Sequence, residues 1–169
     1  ADECTPLHNA AFSGHVACAE ALVARGADLR RGDIDKATAL HKAVSTEEQQ
    51  QTALGTNGSC SQQAHNGHAA VVAALLRLGA EAGAADREGL TPLHRAAFRN
   101  APAALAALLA GGAAADARDH EGATPLHIAA AEGAAGCVAA LLAAGAASLL
   151  ADRQLMLPLH FAAANGHLE

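Results

Sequence analysis

One four-residue phrase recurs along this chain of 169 residues and limits what it can fold into. Thr5-Pro6-Leu7-His8 returns as Thr38-Ala39-Leu40-His41, Thr91-Pro92-Leu93-His94 and Thr124-Pro125-Leu126-His127, and in altered form as Leu157-Pro158-Leu159-His160. The first residues fall at 5, 38, 91, 124 and 157, so the steps are 33, 53, 33 and 33, and the long step carries 20 extra residues. A fixed period in this range means that each unit is one small supersecondary piece. Such a piece buries its apolar face only against its neighbours, so the units stack into an array with one continuous thin core.

The grammar inside each unit gives two helices. The Thr is an N-cap, whose hydroxyl can accept a hydrogen bond from an otherwise orphan backbone N–H. Pro at the next position has the right φ and no N–H to leave unsatisfied. An Ala-rich first helix is expected to end near Gly14, Gly67, Gly133 and Gly166, with Asn100 in the third unit, because a left-handed cap suits Gly and then Asn. A second helix places Ala19, Leu22 and Val23, then Val72, Leu75 and Leu76, then Leu105, Leu108 and Leu109, then Val138, Leu141 and Leu142 at i, i+3 and i+4, on one face. Gly26, Gly79, Gly112 and Gly145 close it, and the short polar residues up to the next Thr read as a hairpin-like loop. Pro102 falls in the first turn of the third unit's second helix, where it is tolerated.

The Thr-Pro-Leu-His tetrad, the Gly before the second helix and the Gly-Ala after it resemble the ankyrin repeat family over essentially the whole chain. The resemblance implies an all-α solenoid of antiparallel helix pairs with short projecting loops, forming a single domain. The units run over about 1–33, 34–86 with the insert at 45–64, 87–119 and 120–152, with a partial unit at 153–169. Two departures stand out. The family places Gly two residues before the Thr, as Gly89 and Gly122 do, whereas Glu3, Lys36 and Leu155 occupy that place elsewhere. If the backbone keeps φ > 0 there, each costs about 1 kcal/mol. The second departure is the insert, which interrupts the first helix of unit 2 between Ala43 and His65. Ser45 and Glu48 form a potential capping box for a helix over 46–54, and 55–61 reads as loop. It is expected to project from the edge opposite the loops. The ending, Asn165-Gly166-His167-Leu168-Glu169, is how the family opens a second helix, so the chain is expected to be a piece of a longer protein.

Composition excludes several functions. Hydrophobic residues make up 51% of the chain and aromatics 2%, which suits closely approaching Ala-rich helices, and the formal charge of −6 argues against a nucleic-acid partner. The 19 uncharged residues between Glu132 and Asp152 are Ala- and Gly-rich and in phase with the repeat, so membrane insertion is not expected. Cys4, Cys18, Cys60 and Cys137 show no paired spacing. Cys18 and Cys137 share the repeat position of Val71 and Ala104 and read as small buried apolar residues, which implies a reducing, intracellular setting, cytoplasmic or nuclear. Of the ten His, those of the tetrad recur at one position, and the resemblance implies that they bridge neighbouring loops through backbone hydrogen bonds. His15, His68 and His167 share a second position. Cys60, His65 and His68 have the only ligand-like spacing and fall short of a four-ligand zinc set. No nucleophile elbow, phosphate loop or metalloprotease motif occurs. No catalytic residue, metal, cofactor or small-molecule substrate is expected.

What remains is surface. The resemblance implies a concave face where a protein partner docks, built from first-helix residues and loop tips. The first-helix contributors are Asn9, Phe12 and Ser13, Lys42, Arg95, Phe98 and Arg99, and Ile128 and Glu132. The loop tips offer Arg31, Asp33, Asp35 and Lys36, then Arg87 and Glu88, His120 and Glu121, and Arg153 with Gln154. Arg95, Phe98 and Arg99 form the most suggestive cluster, because aromatic and Arg side chains dominate interface hot spots. The expected function is a non-catalytic protein–protein interaction module of the adaptor or scaffold kind. The alternatives are a regulatory or substrate-recruiting segment of a larger enzyme, such as a ubiquitin ligase or kinase, and peptide binding governed by the insert.

Overall fold

The computed structural model describes residues 3–45 and 60–167. Within them lie α1 (Pro6–Phe12), α2 (Val16–Ala24), α3 (Ala39–Val44), α4 (Cys60–Arg77), α5 (Pro92–Phe98), α6 (Pro102–Ala110), α7 (Pro125–Ala131), α8 (Ala135–Ala143) and α9 (Pro158–Ala164). The odd-numbered helices stack on one another as an inner layer, and α2, α4, α6 and α8 stack as an outer layer. All are α-helices, and no strand occurs among the described residues. Between α2 and α3, and between each later pair, the chain projects a finger at residues 33–37, 86–90, 119–123 and 152–156.

Each inner helix starts with a capping arrangement in which His stands in for the usual Glu or Gln three residues on. The backbone N–H of Thr5, Thr38, Thr91, Thr124 and Leu157 donates to Nδ1 of the following tetrad His at 2.8–3.1 Å. The role expected of the Thr hydroxyl is only partly kept. At Thr5, Thr38, Thr91 and Thr124 the hydroxyl is bonded to the imidazole Nδ1 at 2.8–3.0 Å, and in α1 it also accepts from His8 N–H at 3.4 Å.

Gly14, Gly133 and Gly166 and also Asn100 adopt φ between 47° and 78° where the inner helices end, as their positions imply. Unit 2 differs. Its inner helix stops at Val44, capped by Ser45, and Gly67 terminates nothing: α4 runs through it as an 18-residue helix, twice the length of α2, α6 and α8. Cys60 and Ser61, expected in a loop, belong to this helix. The intervening residues remove the need for a tight reversal, and a glycine inside a helix costs only about 1 kcal/mol. The expected helix over 46–54 lies outside the described residues.

The buried side of the outer helices is rotated by one position from the expected stripe. Val71, Ala104 and Cys137, with Ala19, Val72 and Leu105 one residue on and Leu75, Leu108 and Leu141 three beyond those, are buried. Val23, Leu76 and Leu109 are only half-buried, and Leu142 is exposed. Against them pack Leu7, Leu40, Leu93 and Leu126 and the alanines of the inner helices, in one continuous core. Cys18 contradicts the expectation of burial: it is exposed, whereas Cys137 is buried. That position faces the preceding unit, as the 3.9 Å approach of Cys137 Sγ to the Ala96 carbonyl shows, and among the described residues no unit packs on that side of α2.

Candidate partner-binding face

Each finger is closed in the same way, by an aspartate five residues before the tetrad. The Asp33, Asp86, Asp119 and Asp152 N–H groups donate to the carbonyls of Ala37, Leu90, Ala123 and Met156 at 2.9–3.0 Å. One carboxylate oxygen, Oδ1, accepts the N–H groups two and four residues on, at 2.8–3.0 Å. Asp33 is therefore not a tip residue. It is 7% exposed, because its carboxylate is the acceptor that holds the hairpin together. Burial alone would raise the Asp33 carboxyl pKa, but the Lys42 ammonium and the N–H groups of Asp35 and Ala37 outweigh it and hold it below its usual value. Asp86 is likewise held low, by Arg95 and the N–H groups of Glu88 and Leu90 against its burial. These aspartates were legible in the sequence as a fourth recurring position in register with the tetrad.

Neighbouring fingers are tied together twice. Arg87, His120 and Arg153 N–H donate to the carbonyls of Asp35, Glu88 and Glu121 in the finger before, at 2.7, 3.2 and 3.0 Å. Deeper, Nε2 of His8, His41, His94 and His127 meets the carbonyls of Ala37, Leu90, Ala123 and Met156 at 3.0–3.2 Å. A carbonyl only accepts and the Thr N–H only donates, so Nε2 carries the proton and Nδ1 is bare. Burial lowers the pKa of His8, His41 and His94, in keeping with neutral rings committed at both nitrogens. The approach is close at Gly89, where an added Cβ would lie 2.7 Å from the His120 ring.

On this frame the residues named from sequence divide into two groups. Phe12, Arg31, Asp35, Lys36, Arg87, Glu88, Phe98, Arg99, His120, Glu121, Glu132 and Arg153 are exposed, whereas Lys42, Arg95 and Ile128 are half-buried. Lys42 Nζ lies 2.7 Å from Asp33 Oδ2 and Arg95 Nη2 2.6 Å from Asp86 Oδ2, so both cations are committed within the chain. Arg95 is thereby drawn out of the expected cluster with Phe98 and Arg99. Those two stay together: the Arg99 guanidinium lies 5.4 Å from the Phe98 ring centroid, and the ring is 51% exposed. Phe12, one turn further along α1 than Asn9, is 41% exposed. Between the second and third fingers lies a cleft of about 430 Å³ lined by Arg87, Glu88, Leu90, Asp119, His120 and Glu121. Lys36 and Leu155 keep φ of 60° and 62°, and Glu3 40°, so the fingers hold their left-handed turn without the usual glycine.

A family model described as ankyrin repeats, in three copies, matches residues 1–54 and 96–169. The chain belongs to the ankyrin-repeat family. The residues between the two matched stretches nevertheless carry the same bonds, with His41 on the Leu90 carbonyl and Arg87 N–H on Asp35. A comparison with curated proteins gave no match. Ankyrin repeats are in general protein–protein interaction modules and typically non-catalytic. No helix among the described residues is long and apolar enough to cross a membrane.

Proposed function

We propose that this ankyrin array is a non-catalytic adaptor or scaffold module that captures a protein partner on the inner-helix face and finger tips. The observation that carries the reading is the Phe98–Arg99 pair, a half-exposed aromatic ring under a guanidinium in a chain with only 2% aromatics. Exposed apolar area beside a positioned charge is the make-up of an interface hot spot. Phe12, Ile128 and Glu132 extend the surface along the inner layer. Arg31, Asp35, Lys36, Arg87, Glu88, His120, Glu121 and Arg153 give it specificity at the tips. The acidic net charge disfavours nucleic acid, and the exposed unpaired thiols Cys4 and Cys18 go with a reducing, intracellular compartment.

The test is an affinity capture from cell lysate with mass spectrometry, comparing the native chain with a Phe98→Ala/Arg99→Ala variant. Arg95 stays native, because removing it would leave Asp86 buried without its cation. Proteins lost from the variant, with an unchanged thermal melt, support the reading. Identical captures by both sink it.

A further inference from the structure

The four finger aspartates are alike at Oδ1 and unlike at Oδ2. Oδ2 of Asp33 holds the Lys42 ammonium and Oδ2 of Asp86 holds the Arg95 guanidinium, each from nine residues further along the chain. The same nine-residue step from Asp119 lands on Ile128, and from Asp152 on Phe161. No cation pairs with either carboxylate among the described residues. Asp152 is 6% exposed, as deep as Asp33 and as Asp86 at 5%. A buried carboxylate needs a cation or donors to face it, and at Asp119 and Asp152 the described residues supply the N–H donors on Oδ1 but no cation at Oδ2. The array thus contains one kind of carboxylate position four times, twice supplied with a cation by the chain and twice not.

Acidic, basic and apolar groups surround Asp119, with Arg87 and His120 in the same cleft as the carboxylates. Asp119 shares its 430 Å³ cleft with Glu88, Glu121 and the Leu90 side. The cleft's own guanidinium, on Arg87, lies 3.7 Å from Asp35 in the finger before. In place of Lys42 and Arg95 stand half-buried Ile128 and Phe161, the latter edge-on to His127 at 5.7 Å between ring centroids. Phe98 lies at the start of the same stretch of inner face. The nearby Arg118 Nη1 is engaged by the Gly122 and Ala151 carbonyls.

We infer that the inner face from the third to the fifth unit docks a basic segment of the partner protein. Lys or Arg side chains of that segment take, at Asp119 and Asp152, the place that Lys42 and Arg95 hold within the chain. Their aliphatic stems lie over Ile128 and Phe161, as long cationic side chains do on apolar surface. The net charge of −6 favours the approach of such a segment. This deepens the proposed function and rests on it.

The experiment selects a phage-displayed random dodecapeptide library on the intact chain and measures the selected peptides by fluorescence anisotropy at about 0.15 M salt, where long-range attraction is screened. Four variants are compared with the native chain. Ile128→Arg/Phe161→Arg puts the chain's own cations back at the two positions. Ala106→Arg/Ala139→Arg adds the same charge at exposed outer-helix sites. Asp119→Asn/Asp152→Asn removes the charge and keeps the Oδ1 acceptor that the fingers need. Phe98→Ala/Arg99→Ala reports on the inner face as such.

Selected peptides rich in Lys or Arg are expected, weakened at least tenfold by the first and third variants and less than about threefold by the outer-helix control. A selection without basic enrichment, one that yields no binders, or basic peptides indifferent to the first and third variants overturns the inference. Peptides sensitive to Phe98→Ala/Arg99→Ala but not to the carboxylate variants would leave the proposed function standing and remove this one. Peptides indifferent to every inner-face variant would remove both.

Discussion

Position thirteen residues after the tetrad's first residue is Cys18 in the first unit and Cys137 in the fourth, and the two have opposite environments. Cys137 is 0% exposed and its thiol is pushed up to about 11 by burial, whereas Cys18 is exposed. The leucines of the tetrad show the mirror image. Leu126 is 3% exposed and Leu159 72%. An ankyrin unit offers its tetrad Leu and His to the following unit and its outer-helix residue to the preceding one. Equivalent residues therefore differ by whether a neighbour stands on the relevant side, so stability is a sum of junctions more than of units.

The largest contrast is expected in thiol chemistry. Peptide mapping after brief alkylation of the folded chain should find Cys18 modified at least about a hundredfold faster than Cys137, which reacts only after local opening of the array. Comparable rates would mean that the junction between the third and fourth units opens freely. Next come the leucines. Leu93→Ala, in a closed junction, should cost about 2–5 kcal/mol in denaturant unfolding. Leu159→Ala should cost under about 0.5 kcal/mol. Similar losses at both would refute the nearest-neighbour account.

The histidine ties sharpen the same comparison by pH. His8, His41 and His94 have folded pKa values below the ordinary 6.5, so below about pH 6.5 the unfolded chain binds more protons than the folded one. Their contribution is complete above pH 6.5 and is lost as pH falls from there towards the folded values. Protonating Nδ1 would also break the bond from the Thr N–H. Asp33 and Asp86, held below 3.8, add a second loss only under more acid conditions. A thermal-melt series should accordingly be flat for these groups from pH 7.5 to 9 and should decline from pH 6.5 to 5. A midpoint that rises on acidification over that range would contradict the neutral tie.

The smallest effects are expected at the finger turns. Gly89→Ala meets both a φ of 82° and the His120 ring, and should cost about 1–2 kcal/mol. Lys36→Gly relieves a left-handed lysine and should gain about 0.5 kcal/mol after the entropy of the added glycine is counted. A loss on Lys36→Gly would mean that the lysine side chain itself supports its finger.

Much of the frame was legible because its signals are local. Thr, Pro and His of the tetrad, the closing glycines and Asn100 act within a few residues of themselves, and their recurrence in register multiplies a weak signal. The finger aspartates were equally periodic, and Asp33 was misread as a tip residue because an aspartate in a polar loop looks the same whether it faces water or closes the hairpin. Gly67 was misread for the opposite reason: the rule that makes glycine a stop at position 14 says nothing once extra residues relax the turn.

The amino-acid sequence alone determined the repeat, the helix pairs, the caps and the left-handed turns, since each depends on dihedral preferences and hydrogen bonds spanning a few residues. The tertiary structure decided which equivalent residues are buried, which tetrad His has a carbonyl to donate to, and which finger carboxylates hold a cation. Those outcomes depend on partners such as Ala37 for His8 or Leu90 for His41, 29 and 49 residues away, and on whether a unit stands on the facing side. A pattern repeated in sequence specifies the unit, while burial and charge pairing belong to the junction between units.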